Sequence, residues 1–168
     1  MRRRFIRFWI CGILALGSSI LWANPSIFDE EPAGELERSR KIPDPESLIG
    51  LTLQEVFTSF GPPIEVGVVR GDEPWQDDVV FIYPEGLSLF WFQNRVWQVR
   101  LSLPTSGEAR GIRIGDSSLR VWELLGSPYY EEEDWALYHV FTPNFPLRLR
   151  FFFKGGAVED IYIYRGDF

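Results

Sequence analysis

Residues 49–63 read IGLTLQEVFTSFGPP, and residues 114–128 read IGDSSLRVWELLGSP. Five residues are identical at a constant offset of 65 positions. Ile49, Gly50, Val56, Gly61 and Pro63 recur as Ile114, Gly115, Val121, Gly126 and Pro128. Self-similarity at a fixed spacing indicates that one structural unit has been duplicated. The sequence therefore predicts two similar units in succession.

The first copy predicts a short helix with a defined start and a defined end. Thr52 and Glu55 have the spacing of a capping box, in which each side chain bonds to the backbone of the other residue. Gly61 and the two prolines after it stop the helix. The apolar residues that recur on one face between these ends are Leu53, Val56, Phe57 and Phe60.

The second copy predicts a helix of the same kind. Asp116 or Ser117 is the expected cap, and Gly126 is the expected stop. The residues expected to face the core are Val121, Trp122 and Leu125. Both helices should therefore pack in the same way.

Segments of strand-like sequence follow each helix. They cover residues 64–69, 79–83, 87–92 and 96–103 after the first helix, and residues 136–141, 147–153 and 158–164 after the second. Residues 93–95 and 154–157 predict tight hairpin connections. Alternating apolar and polar residues are typical of antiparallel strands covered on one face. The predicted class is α+β, with two repeated modules that each pack a short helical segment on a sheet of 3–4 antiparallel strands.

The N-terminus has the layout of a secretory signal peptide. Arginines at positions 2, 3, 4 and 7 precede an apolar stretch that ends at Ala23. We predict a signal peptide over residues 1–23, with an uncleaved membrane anchor as the alternative, and a flexible acidic linker over residues 24–43. The first repeat is predicted over residues 44–104 and the second over residues 105–168.

Composition excludes several classes of function. The formal net charge is −7, and it becomes −11 when the four arginines of the signal are removed. Neither nucleic acid nor an anionic lipid surface is therefore an expected partner. Cys11 is the only cysteine and lies within the predicted signal, which leaves no disulfide and no thiol chemistry. Because His139 is the only histidine, we predict no metal site and no cofactor.

The repeated pattern of a glycine, a capped helix, Gly-x-Pro and a β-meander resembles the SmpA/OmlA (BamE) family of bacterial envelope proteins. Two such modules in tandem resemble the architecture of β-lactamase inhibitor proteins. The resemblance covers about residues 44–168 and implies a small exported scaffold that binds another protein and catalyses nothing. It rests on Gly50, Val56, Gly61 and Pro63 and on Gly115, Val121, Gly126 and Pro128.

Large aromatic residues are more numerous than one covered sheet face requires. Residues 87–92 and 151–153 carry apolar side chains on both faces of their predicted strands. The excess has two explanations, which are packing of the two modules on each other and an exposed face that binds a partner. The candidate binding residues are Trp75, Phe90, Trp91, Trp97, Tyr129, Tyr130, Trp135, Arg148, Arg150, Tyr162 and Tyr164.

Other chemistry-bearing residues have simpler interpretations. His139 lies in a predicted strand with no nucleophile motif in the sequence, so we expect it to be structural or at the surface. Residues 131–134 are four consecutive acids and predict a solvated loop, with calcium binding and steering of a basic partner as alternatives. Arg-Gly-Asp at residues 70–72 and 165–167 is attributed to turn formation, with cell adhesion as the alternative.

The sequence thus predicts an exported, non-enzymatic protein of the bacterial cell envelope. Its expected partner is another envelope protein, bound through sheet aromatics and the loops at residues 70–78 and 129–135. The expected location is periplasmic or extracellular, with no membrane span in the mature chain. The alternatives are a carbohydrate- or cell-wall-binding module, whose rings would stack on sugars, and an envelope hydrolase that uses two carboxylates.

Overall fold

The computed structural model describes residues 41–73 and 77–167. The predicted signal peptide, most of the predicted linker and Trp75 lie outside these residues. The described residues all belong to one unit of the chain, Arg38–Phe168. The fold is described for that unit alone.

Two α-helices, a short 3₁₀ helix and ten strands are found in residues 41–73 and 77–167. The helices are the 3₁₀ helix Pro45–Leu48, α1 at Leu53–Phe60 and α2 at Ser118–Leu125. The strands before α2 are β1 Glu65–Val69, β2 Asp78–Tyr83, β3 Leu87–Phe92, β4 Arg95–Leu101, β5 Glu108–Ala109 and β6 Ile112–Arg113. The strands after α2 are β7 Tyr130–Glu132, β8 Trp135–Phe141, β9 Pro146–Lys154 and β10 Ala157–Arg165.

Both helices begin at side-chain caps. The capping box of α1 is confirmed, since the Glu55 backbone N–H donates to the Thr52 hydroxyl at 3.4 Å and the Thr52 backbone N–H donates to the Glu55 carboxylate at 2.8 Å. Ser117 rather than Asp116 caps α2, and it accepts a bond of 3.1 Å from the backbone N–H of Arg120. Each cap satisfies N–H groups that would otherwise have no partner in the first helical turn.

Gly61 and Gly126 end the two helices in a backbone conformation that glycine alone adopts readily. The φ and ψ angles are 69° and −162° for Gly61, and 77° and −159° for Gly126. Each carbonyl then accepts a bond from a sheet tyrosine, Tyr83 at 3.3 Å and Tyr138 at 3.2 Å respectively. Burial raises the pKa of Tyr138 to about 12, and the Glu131 carboxylate adds to the rise. This hydroxyl therefore stays a donor at neutral pH.

One antiparallel sheet of eight strands crosses the described residues in the order β1-β2-β3-β4-β10-β9-β8-β7. β5 and β6 form a separate hairpin. The strands before and after α2 meet where β4 pairs with β10, with Val99 opposite Ile163 and Leu101 opposite Ile161. The predicted α+β class is confirmed, with the sheet as the dominant element.

One face of the sheet forms the core together with the helices. A fully buried row crosses four strands and consists of Leu89, Val99, Ile163 and Leu149. Val56 and Phe60 of α1 and Val121 of α2 belong to the same buried cluster. Both helices therefore lie on this face.

Two helical residues that the sequence predicts to be buried are instead exposed. Phe57 is 43% exposed and Trp122 is 45% exposed, and they occupy equivalent positions of the repeated sequence. An eight-residue helix has about two turns, so only a narrow stripe of it can touch a sheet. Phe57 lies beside that stripe and contacts the ring of Phe81 in β2, with centroids 5.9 Å apart.

Three strands are not predicted by the sequence. β5 and β6 are only two residues long, and their turn at Arg110 and Gly111 has positive φ at both positions. β7 includes Glu131 and Glu132 of the predicted acidic loop, so the loop interpretation is wrong for these two residues. Glutamate has a low strand preference, and backbone pairing with β8 overrides it while the side chains stay in solvent.

The two outer strands of the sheet differ in character. β7 exposes Glu131 and Glu132, whereas β1 exposes Val66 and Val68 and has a single acid, Glu65. An outer strand presents unpaired backbone groups to other strands, and charged side chains discourage such pairing. One edge of the sheet is therefore protected by charge and the other is largely apolar.

We expect Gly61→Ala to lower the free energy of unfolding by about 1–3 kcal/mol, because an L-residue is strained at these backbone angles. No atom lies within 4 Å of the added Cβ, so a steric clash is not the cause. Gly67→Ala in β1 is the matched control, since that site is equally open and lacks a positive φ. Urea unfolding followed by tryptophan fluorescence compares them, and equal stability of the two variants would contradict the backbone explanation.

Candidate functional site

The sheet face opposite the helices carries aromatic and arginine side chains in three rows, which we call the open face. These rows alternate with the rows of the core. The first row consists of Trp135, Phe152 and Asp160. The second consists of Leu137, Arg150, Tyr162, Arg100 and Ser88, and the third of His139, Arg148, Tyr164, Gln98 and Phe90.

A β-bulge in β4 brings Trp97 to the open face. The pairing of β3 with β4 shifts between Phe90 and Trp91, so Trp97 is an extra residue in the ladder. Its indole N–H donates to the Asp78 carboxylate at 3.1 Å. Its ring meets that of Tyr164 edge-on, with centroids 6.4 Å apart. These two contacts fix the position of the indole.

The side chains of the open face cover one another. Phe152 and Tyr162 meet edge-on at 5.5 Å, and Phe90, only 7% exposed, lies 6.4 Å from Tyr162. A shallow cavity of about 240 Å³ remains between six side chains, which are Trp97, Gln98, Arg150, Phe152, Tyr162 and Tyr164. The face is therefore ordered by its own contacts and keeps a concave centre.

An ion pair crosses the β4–β10 junction within the open face. The guanidinium of Arg100 donates two bonds to the carboxylate of Asp160, at 2.9 and 3.0 Å. The same guanidinium lies 5.7 Å from the ring centroid of Tyr162. Burial raises the pKa of Tyr162, and the positive charge of Arg100 opposes that rise. Tyr162 is therefore a neutral hydroxyl at physiological pH.

Arg150 is held by aromatic rings. Its guanidinium carbon lies 4.4 Å from the ring centroid of Trp135, 5.8 Å from that of Tyr164 and 5.9 Å from that of Phe152. Its Nε atom is buried and has no hydrogen-bond partner among the described residues. Cation–π contacts of this kind orient a guanidinium without using its N–H donors.

The structure brings most of the predicted site residues together. Tyr129 and Tyr130 lie at the β7 edge of the open face, where Tyr129 stacks on His139 at 3.9 Å and Tyr130 contacts Trp135 at 5.2 Å. The predicted residues within the open face are Phe90, Trp97, Trp135, Arg148, Arg150, Tyr162 and Tyr164. The strand register therefore unites residues that are far apart in sequence.

The prediction that Trp91 is a binding residue of the sheet surface is wrong. It is 8% exposed and belongs to the core, where its ring contacts that of Phe81 at 5.0 Å. Trp91 alternates with Phe90 along β3, so the two residues point to opposite faces. A surface role for Phe90 therefore excludes one for Trp91.

Seven residues of the open face are absent from the predicted binding residues. They are Ser88, Gln98, Arg100, Leu137, His139, Phe152 and Asp160. Alternation with the predicted Arg148 and Arg150 could have identified Phe152. No comparable signal marks Gln98 and Arg100, because the bulge at Trp97 breaks the alternation of β4.

The strands before and after α2 join edge to edge, and no element of the described residues lies across the open face. Part of the aromatic excess nevertheless packs between the strands before and after α2, since Phe90 contacts Tyr162 and Trp97 contacts Tyr164. The aromatic residues on this side of the sheet are left facing outwards.

Both Arg-Gly-Asp tripeptides have their arginines engaged. Arg70 forms an ion pair with Asp77. Arg165 donates to Asp167 within its own tripeptide, at 3.0 and 2.7 Å. The tripeptides therefore take part in local turn structure.

The acidic residues 131–134 line a second depression, of about 1030 Å³, together with Trp122 and Trp135. Among residues 41–73 and 77–167, no group of three or more His, Cys, Asp or Glu side chains is placed to hold a metal ion. Within the same part of the chain, no helix has the length and apolar character needed to cross a membrane.

Comparison with known proteins gives a likeness of fold. No protein-family model and no curated protein matches the sequence. An extracellular protein containing a SCP domain from Bacillus anthracis shares the fold at a TM-score of 0.53 and 8% identity, over 74% of this chain. The matched region spans 46% of that protein. A candidate β-lactamase inhibitor protein from Streptococcus mutans matches at 13% identity over 70% of this chain and 91% of its own, with a TM-score of 0.30, too low to bear on the fold.

We expect Asp78→Asn to stabilise the protein increasingly as pH rises. Burial raises the pKa of Asp78 and the charge of Asp77 adds to the rise, although the Trp97 bond opposes it. The charged carboxylate therefore costs stability above the folded-state pKa and costs nothing below the unfolded-state value. The increase in the free energy of unfolding caused by Asp78→Asn should grow from near zero at about pH 3 to at most about 1 kcal/mol at about pH 7.

Urea unfolding across this pH range measures the gain. Asp72→Asn, at an exposed position before β2, removes the same formal charge and serves as the control. The amide introduced by Asp78→Asn keeps an oxygen that can accept the Trp97 bond, so the indole should not move. A stabilisation by Asp78→Asn that falls as pH rises would contradict a raised pKa of Asp78.

Proposed function

We propose that this chain is an exported, non-enzymatic binding protein of the bacterial cell envelope, and that its open face holds a partner protein. The observation that supports this most is the composition of the open face. Tryptophan, tyrosine and arginine are the residues that most often dominate binding energy at protein interfaces. Here Trp97, Trp135, Arg150, Tyr162 and Tyr164 lie together on one ordered surface.

The proposed architecture is two repeated modules over residues 44–104 and 105–168. Matching contacts support it. The backbone N–H of Gly50 donates to Val96 at 2.7 Å, and that of Gly115 donates to Val158 at 2.8 Å. The tyrosine bonds to the carbonyls of Gly61 and Gly126 correspond in the same way. Each proposed module is a helix followed by four strands of the common sheet.

Export is proposed from the signal-like residues 1–23, to a periplasmic or extracellular location. The Bacillus anthracis protein with a similar fold is an extracellular protein, which agrees with this location. The acidic composition agrees with a partner other than nucleic acid.

The absence of catalysis is part of the same proposal. Hydrolysis by two carboxylates needs a second acid within about 5–10 Å of the first. The carboxylates beside the aromatic residues of the open face are already bonded. Arg100 binds both oxygens of Asp160, Trp97 donates to Asp78, and Trp135 and Tyr130 donate to Glu132. These bonds support the absence of such a mechanism.

The geometry of the rings favours protein over carbohydrate. A sugar stacks on a flat, accessible ring face. Trp97 and Tyr164 meet at 75° between ring planes, and Phe152 and Tyr162 meet at 71°, so these rings at the centre of the face form no common platform. Such edge-to-face packing suits an irregular protein surface.

Affinity capture from an envelope extract, with the chain lacking residues 1–23 as bait, tests the proposal. We expect capture of a defined protein partner, and Tyr164→Ala should weaken its binding about 30-fold, as for an interface hot spot. Trp97→Ala should act in the same direction.

Phe57→Ala is the matched control, because Phe57 is a large exposed ring on α1 and contacts Phe81 on the helix side of the sheet. Circular dichroism melting confirms that each variant is folded. Loss of the partner in Phe57→Ala with retention in Tyr164→Ala would place binding on the helix side and overturn the proposal. Binding to a glycan array that Tyr164→Ala abolishes, without a protein partner, would favour the carbohydrate alternative.

A further inference from the structure

We infer that the open face recognises a carboxylate of its partner, an aspartate or glutamate side chain in an apolar context, through Arg150 and Arg148. This rests on the proposed function and names the chemistry of the group that would be bound.

Most arginines of the described residues have a carboxylate partner. Five pairs join guanidinium and carboxylate groups, which are Arg70–Asp77, Arg100–Asp160, Arg110–Glu46, Arg113–Glu108 and Arg165–Asp167. Arg95 instead donates to the carbonyl of Gly50 at 2.8 Å. The chain has 24 acids against 17 lysines and arginines, so carboxylates are in excess. Among the nine described arginines, the four without an acid partner are Arg95, Arg120, Arg148 and Arg150.

Arg148 and Arg150 are the two of these arginines that lie on the open face. Both are half-buried, they are two residues apart on the same side of β9, and neither makes an ion pair or a side-chain hydrogen bond to a described residue. The other charged groups of the open face and its edges are Arg100 and Asp160, which pair with each other, Glu132 and Asp78, which accept bonds from Trp135 and Trp97, and the titratable His139 opposite Arg148. The centre of the face thus has two positive charges without a counterion among the described residues.

The surroundings of Arg150 prepare it for a bidentate acceptor. The ring of Trp135 lies 4.4 Å from its guanidinium carbon, which holds the guanidinium plane without consuming a donor. Arginine presents its N–H groups as a planar fork that matches the two oxygens of a carboxylate. Because the Nε atom is buried, the outer Nη groups are the donors expected to meet such a ligand.

The occupant is best described as a single carboxylate among apolar residues. The cavity beside Arg150 is lined mainly by rings, with an apolar volume that an adjoining apolar side chain could fill. A polyanion is disfavoured because the net charge of the chain is −7 and the acids of residues 131–134 lie at the neighbouring edge. A single carboxylate matches the local positive charge of the two arginines. A polyanion would also meet the negative charges of the neighbouring edge.

A synthetic library of short peptides, acetylated and amidated so that the central side chain is their only carboxylate source, tests the inference. The library places Glu, Asp, Gln or Asn between flanking Gly, Leu or Phe. We expect the full chain to bind the Glu and Asp members about tenfold more tightly than their Gln and Asn counterparts, measured by tryptophan fluorescence. Arg150→Gln should remove this preference, and Arg150→Lys should restore it only in part because the fork is lost.

Arg120→Gln is the matched control. It makes the same charge change at an exposed position of α2 where the side chain also has no partner among the described residues. Arg148→Gln provides a second variant should Arg150→Gln fail to fold. Equal binding of Glu and Gln peptides, including no binding of either, would overturn the inference, and so would an equal loss in Arg120→Gln. Because capture of the protein partner is measured separately with Tyr164→Ala, loss of the carboxylate preference alone leaves the proposed function standing.

Discussion

The pairing of β4 with β10 is the contact on which the rest of the structure depends. It joins two four-stranded halves at their edges, so that one row of fully buried residues continues from Leu89 through Val99 and Ile163 to Leu149. A four-stranded sheet with one eight-residue helix would bury little apolar surface, and small domains are limited by that deficit. The shared sheet gives both halves one core and removes two strand edges from solvent. On the other side, the same pairing places Arg100 beside Asp160 and Gln98 beside Tyr164.

The repeated residues of the sequence reflect requirements of the backbone more than the chemistry of the surface. Gly50 and Gly115 have φ angles of 89° and 91°, and Gly61 and Gly126 have angles open to glycine alone. Such positions tolerate little change, which explains why these residues are identical in both copies. The open face shows no such identity between the two copies. Trp97 lies on a bulge in β4, whereas Arg150 and Tyr164 come from the hairpin of β9 and β10. The repeat therefore predicts fold better than it predicts a partner.

Local patterns account for the elements that the sequence predicts correctly. The capping box at Thr52, the glycine stop at Gly61 and the period-2 alternation of residues 147–153 are all readable within a few residues. The predictions are wrong where tertiary contacts determine the secondary structure or the burial of a residue. Pairing with β8 makes a strand of Glu131 and Glu132, and the narrow contact between a two-turn helix and the sheet leaves Phe57 and Trp122 beside it. At the open face, aromatic content identified the right strands, but only the register separates Trp97 from the core residue Trp91. The stacking of Arg150 on Trp135 joins neighbouring strands and has no sequence signature.

The two edge strands of the sheet differ in charge, and this difference limits how copies of this chain can pair with one another. A β7 border lined by Glu131 and Glu132 repels a second border of the same kind, whereas the valines of β1 carry no such repulsion. Lateral growth through backbone pairing would thus proceed from the β1 border alone. Two molecules joined there would turn only acidic edge strands outwards, and repulsion between such edges would oppose further pairing.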